Sequence, residues 1–133
     1  MAMGKSNICV KVGNMYRTIY CHRDGYISCN GAILLKHYNS QELAEDLVSH
    51  GDIDSLGKKC SEYDRYSYGD YTVYFGRDLG NEDSDYRESE KLPFFREEYL
   101  YIFENGKWYV VCDYIPEGYQ ELTEELIALD YQE

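Results

Sequence analysis

Two runs that alternate between the faces of a strand, Tyr99–Phe103 and Lys107–Val111, flank the triplet Glu104-Asn105-Gly106. Asn-Gly accepts the positive φ angles of a tight two-residue turn, and a period of two places alternate side chains on one face. This is the strongest hairpin signal in the chain. It predicts an antiparallel strand pair in the C-terminal half. A second pair is expected near the start. Asn7–Gly13 alternates, with Ile8, Val10 and Val12 on one face, and Met15–Cys21 resumes the pattern after the weaker turn Gly13-Asn14.

Between these hairpins the period lengthens. Ile33, Leu34, His37 and Tyr38 have the spacing of an amphipathic helix. Ser40 reads as the N-cap of a second helix, with Glu42 near the positive end of its dipole. Leu43, Ala44, Leu47 and Val48 form its apolar stripe, and Gly51 is the expected C′ residue. Tyr71–Phe75 reads as a further strand. Thr123 caps a short final helix, with Glu124 and Glu125 in its first turn and Leu126, Ile127 and Leu129 facing inward. Leu122 and Ile127 have the spacing of a hydrophobic staple. Strands and helices are segregated, so the predicted class is α+β. The expected architecture is a single domain over residues 1–133, an antiparallel β-sheet built from hairpins with two to three helices packed on one face.

A chain of 133 residues is long enough for one real core, and 44% apolar content with 16% aromatic is globular in character. Most of the aromatic share is Tyr, with 16 residues, expected chiefly in a β-rich core. No segment reaches the roughly 18 apolar residues of a membrane span. Met1–Ser6 carries no apolar stretch behind its lysine, so no secretory leader is expected. Cys9, Cys21, Cys29, Cys60 and Cys112 are scattered without a CxxC pair, so no structural metal site and no cofactor is expected. The thiols read as free, in a reducing, cytoplasmic setting.

The charge is unevenly placed. Met1–Gly80 holds 10 acidic against 9 basic residues, whereas Asn81–Glu133 holds 15 against 4, and the whole chain carries −12. Such a field repels phosphate backbones and anionic lipid and attracts basic surfaces. Direct nucleic-acid or membrane binding is therefore not expected. Residues 76–91 read as a mobile acidic loop. Glu82, Asp83, Asp85, Glu88 and Glu90, followed by Glu97 and Glu98, are the candidate binding surface. Duplex DNA presents one charge per about 1.7 Å of axis, so carboxylates in a row can imitate it. Tyr86, Phe94 and Phe95 interleave with this charge as candidate interface anchors.

A second candidate site lies in Tyr20-Cys21-His22-Arg23-Asp24-Gly25-Tyr26, at a strand exit. Cys21 and His22 are adjacent, so on a strand they face opposite ways and form no simple dyad. His22 and Asp24 share a face. Arg77, beside Gly76, has the fork to hold a phosphate or carboxylate, or else to pair with Asp78, Asp24 or the acidic loop. Tyr20, His22, Asp24, Tyr26 and Arg77 thus make a candidate site for a phosphate-bearing ligand. No P-loop, GxGxxG, HExxH or GxSxG string is present. Asp83 and Asp85 lack the rest of a calcium loop, and His37 and His50 stand alone.

Ser6-Asn7-Ile8 and Ile19-Tyr20-Cys21-His22-Arg23-Asp24-Gly25-Tyr26 resemble the start and the central motif of small uncharacterised proteins encoded by bacteriophages and prophages. Leu34-Leu35-Lys36-His37-Tyr38, Gly51-Asp52-Ile53-Asp54-Ser55-Leu56-Gly57 and Tyr74-Phe75-Gly76-Arg77-Asp78 extend the resemblance over most of the chain. Arg23 stands where that group has Trp, and Ile27 where it has Pro. On this resemblance Met1-Ala2 precede the natural start at Met3. It implies an accessory protein in a bacterial host cell, acting on host machinery or defences. The leading expectation is a non-enzymatic, anti-CRISPR-like inhibitor that binds a basic host protein, such as a defence nuclease, as a nucleic-acid mimic. The alternatives are sequestration or processing of a nucleotide at the His22, Asp24 and Arg77 site, and an assembly role in a homo-oligomer with tyrosines at the contact.

Overall fold

The computed structural model describes residues 4–61, 70–92, 97–112 and 119–131. The first hairpin joins β1 (Ser6–Val12) to β2 (Met15–Cys21), closing at Val12 opposite Met15. Gly13 takes a φ of 61°, placing glycine at the first turn position as a type II′ turn requires. The second joins β6 (Tyr99–Glu104) to β7 (Lys107–Cys112), with Asn105 and Gly106 at φ 54° and 78°, both positive as in type I′. Both predicted turns form.

Between the hairpins, a π-helical turn at Ile27–Gly31 leads into α1 (Ala32–His37), and α2 follows at Gln41–Ser49. Ser40 Oγ accepts from the Leu43 amide at 3.2 Å, the expected N-cap. Short strands β3 (Ile53–Ser55), β4 (Val73–Tyr74) and β5 (Arg87–Ser89) come next. After the second hairpin lie β8 (Gln120–Glu121) and α3 (Glu124–Tyr131), whose Thr123 Oγ1 accepts from the Leu126 amide at 3.1 Å.

The strand order is β4-β3-β2-β1-β6-β7-β8, with β5 also on β2. The class is α+β, but the sheet is mixed rather than purely antiparallel. β1 and β6 run parallel, with Ser6 opposite Tyr99 and Val10 opposite Phe103, and β2 meets β3 in parallel at Cys21 and Ile53. The long route through the helices returns the chain beside its first strand in the same direction, which a tight turn cannot do.

The helices cover one face, as expected. Ile8, Val10, Ile19, Tyr101, Phe103, Trp108 and Val110 on the sheet meet Leu34, Tyr38, Ala44, Leu47 and Val48 in one buried cluster. Each Val, Leu, Ile or Phe side chain removed from water contributes about 1.5–3 kcal/mol. Trp108 donates its indole N–H to the Tyr38 carbonyl at 3.0 Å, and Tyr38 donates to the Gly57 carbonyl at 2.7 Å. The buried Tyr38, Tyr74, Tyr99 and Tyr101 bear out tyrosine as a core residue here. Cys9, Leu100 and Ile102 form a smaller cluster on the opposite face. Two positions of the predicted stripes differ. Leu43 and Leu129 are exposed, because each helix is too short and too peripheral to bury more than a narrow seam.

Candidate functional site

The acidic segment is bonded to the body of the fold. After β4 the chain turns through Gly80, whose amide donates to the Gly76 carbonyl at 3.1 Å, and the Asn81 amide donates to Phe75 at 2.8 Å. The Ser84 carbonyl then accepts from the Asp52 amide at 2.7 Å. Gly51, at φ 91°, allows this approach, since a Cβ there would overlap the Ser84 carbonyl. β5 pairs antiparallel with β2, setting Glu88 opposite Arg17, and their side chains meet at 3.0 Å. Arg87 reaches Asp52 at 2.9 Å.

Glu82, Asp83, Asp85, Glu88 and Glu90 are all exposed on this ledge. Among the described residues, the side chains of Glu82, Asp83, Asp85 and Glu90 make no ion pair. Glu97 and Glu98 are placed elsewhere, half-buried before β6, with β2 and β1 lying between β6 and β5. Tyr86 is not a free anchor. It is half-buried against the core, with the Arg17 guanidinium 5.2 Å from its ring centre. Phe94 and Phe95 lie outside the described residues.

The strand-exit motif divides into separate duties. The Tyr20 hydroxyl and His22 Nδ1 are 2.8 Å apart, and the His22 ring meets Phe75 edge-on at 6.2 Å. His22 Nδ1 thus takes Tyr20 and not Asp24. Cys21 points the other way, into the core, where burial pushes its thiol up to about 12. A neutral, buried thiol is an inert one. Asp24 turns the chain at φ 57°, and its carbonyl accepts from the Asn30 amide at 3.0 Å. Gly25 packs so closely on Gly4 that no Cβ fits, and the Tyr26 ring stands edge-on to Tyr99 at 6.0 Å.

Arg77 lies at the surface but is committed to bonds within the fold. Its Nε lies 2.9 Å from Asp78 Oδ1, and its Nη atoms donate to the carbonyls of Cys60 at 2.7 Å and Ser61 at 2.9 Å. Its guanidinium also covers the Tyr74 ring at 4.6 Å. Asp78, 6% exposed, accepts from the Tyr74 amide at 2.8 Å. A phosphate at this place would have to displace bonds that already fix two loops.

One constellation was not legible in the sequence. Asp46 and His50 stand four residues apart at the end of α2, with His50 Nε2 3.2 Å from Asp46 Oδ1. The Cys60 thiol donates to Asp46 Oδ2 at 3.2 Å. Tyr74 meets the His50 ring edge-on at 5.1 Å and donates its hydroxyl to the Leu47 carbonyl at 2.6 Å. Burial, with Asp46 beside it, pushes the Cys60 thiol up to about 12. The Asp46–His50 spacing was the available signal. Cys60, 14 residues from Asp46, was not expected to join them.

Among the described residues no helix is long and apolar enough to cross a membrane. Neither the family models, nor the curated proteins, nor the solved structures include a match to this chain.

Proposed function

We propose that this chain is a non-enzymatic binding protein that presents its acidic ledge to a basic surface of a partner protein. The observation that carries this reading is the exposure of Glu82, Asp83, Asp85 and Glu90, without ion pairs to described residues, on a segment bonded to Asp52 after α2 and to β2. A backbone already held in place loses little conformational entropy on association, which favours affinity. Complementary charge also speeds encounter and suppresses wrong partners. A protein whose groove serves nucleic acid fits this chemistry, because its basic residues are spaced for successive phosphates. In the phage setting that the resemblance implies, a host nuclease of a defence system is such a partner.

The test is capture of partners from bacterial lysate by the tagged parent and by a Glu82→Lys, Asp83→Lys, Asp85→Lys variant. The parent is expected to retain a nucleic-acid-binding protein at low salt and release it at high salt, and duplex DNA is expected to compete. The variant is expected to lose it. Equal capture by parent and variant, or capture indifferent to DNA, refutes the reading.

A further inference from the structure

Asp46 and His50 leave the same face at the end of α2, one turn apart. Cys60 approaches that face from the segment after β3. One ligand atom from each of the three residues lies within 4.8 Å of the other two. We propose that Asp46, His50 and Cys60 form a zinc site with three protein ligands and one coordination position open to solvent.

A tetrahedral zinc has Zn–S bonds of about 2.3 Å and Zn–N and Zn–O bonds of about 2.0–2.1 Å, which sets ligand–ligand separations of about 3.3–3.6 Å. The Asp46–His50 and Asp46–Cys60 contacts already stand at 3.2 Å each. His50 meets Oδ1 and Cys60 meets Oδ2, so the carboxylate turns to present one oxygen while the imidazole and the sulfur draw together, all from separations within 4.8 Å. Rotations of the exposed Asp46 and partly exposed His50 side chains supply that movement. The donor set selects the metal. Calcium and magnesium take oxygen ligands, whereas a thiolate with an imidazole suits zinc.

The surroundings hold the ligands. Tyr74 braces the His50 ring at 5.1 Å, and Arg77 fixes the Cys60 carbonyl at 2.7 Å. The Arg77 charge is balanced by Asp78, at 2.9 and 3.0 Å, so it does not dominate the site. The side chains of Asp46 and His50 are 58% and 34% exposed, which leaves an entry path and the fourth position. On binding, the Cys60 S–H bond breaks, the S–Zn bond forms and the proton passes to solvent. The thiol donates to Asp46 rather than to His50, so the trio lacks the cysteine–imidazole contact of a nucleophilic dyad. The missing CxxC pair argues against a closed, cysteine-rich zinc site, which is a different structure from this one.

The test titrates the reduced protein with Co²⁺ as a spectroscopic stand-in, then displaces it with Zn²⁺. The parent is expected to show a thiolate-to-cobalt charge-transfer band that saturates at one equivalent and is bleached by zinc. Cys60→Ser is expected to abolish the band, and Cys29→Ser, which alters the exposed thiol, to leave it intact. Changes beyond the ligands already cost about 10–100-fold in affinity, so Asp46→Asn and His50→Gln are expected to weaken zinc binding at least tenfold. Both sites face solvent, so these two variants decide the matter even if Cys60→Ser does not fold. Absence of the band in the parent, its survival in a folded Cys60→Ser, or unchanged zinc affinity in Asp46→Asn and His50→Gln overturns the site.

Discussion

In the corner beneath the end of α2, Arg77 lies against Asp78 at 2.9 Å and binds the carbonyls of Cys60 and Ser61, whereas a few residues further on Glu82 and Asp83 face solvent with no ion pair to a described residue. Both stretches are charged and both are turns, so composition does not separate them. Desolvation does. A carboxylate as buried as Asp78 cannot persist without a partner, while an exposed one is already satisfied by water. The corner therefore holds the fold together, and the ledge is free for recognition. Gly51 is where they touch, with the chain of the ledge laid directly over it.

The largest expected effect falls on the buried side and comes from alkaline pH, because several groups act at once. Burial pushes the thiols of Cys9, Cys21 and Cys60 up to about 12, and raises the phenols of Tyr38 and Tyr74 as well. In the unfolded chain a thiol ionises near 9.0, while in the fold it keeps its proton to about 12. Stability from these neutral groups is thus complete below pH 9 and is lost as pH rises from 9 to 12. The urea midpoint is expected to hold up to the lower value and then fall. A midpoint unchanged across that window breaks the claim that the corner and core depend on uncharged polar groups.

Gly51→Ala comes next. It adds a Cβ at φ 91° against the Ser84 carbonyl, so strain and overlap together are expected to cost about 3 kcal/mol. Arg77→Ala follows at about 2–3 kcal/mol, because it leaves Asp78 and the Cys60 carbonyl without their donor. Denaturant unfolding measures both. If Arg77→Ala is as stable as the parent, the guanidinium is not a structural tie, and the ligand site at Arg77 gains ground.

The local half of this fold was readable from residues alone. Asn105-Gly106 and Gly13 close the two hairpins, and Ser40 and Thr123 cap the helices where the polar side chains fall before the apolar periods. What escaped was long-range. The parallel pairing of β1 with β6 joins residues about ninety positions apart, and no local period encodes which edges meet. β5 escaped for another reason: Arg87, Glu88 and Ser89 have no apolar face, and only the free edge of β2 draws them into the sheet. The strand-exit motif was visible as a string, but a string does not show that Cys21 and His22 serve opposite faces of one sheet while Asp24 and Gly25 make a close backbone turn. Asp46, His50 and Cys60 were each visible and each unremarkable, since only the packing of the loop after β3 against α2 brings them together.

The smallest stability effect is expected at the ledge, and it is the sharpest test of the comparison. Glu82→Lys and Asp85→Lys alter exposed side chains that have no ion pair among the described residues, so each is expected to shift stability by no more than about 0.5 kcal/mol, while Asp83→Lys, at φ 56° where Asp fits better than Lys, is expected to cost about 1 kcal/mol. Combined, they relieve repulsion in a chain of net charge −12, so the sum need not be a loss. The same three changes are expected to slow association with a basic partner by an order of magnitude or more, because encounter depends on the field rather than on contacts. Small loss of stability with large loss of association rate is the outcome that separates a recognition surface from a structural one. If stability falls as far as in Arg77→Ala, the ledge is part of the frame, and its exposed carboxylates serve the fold through water or through residues beyond those described.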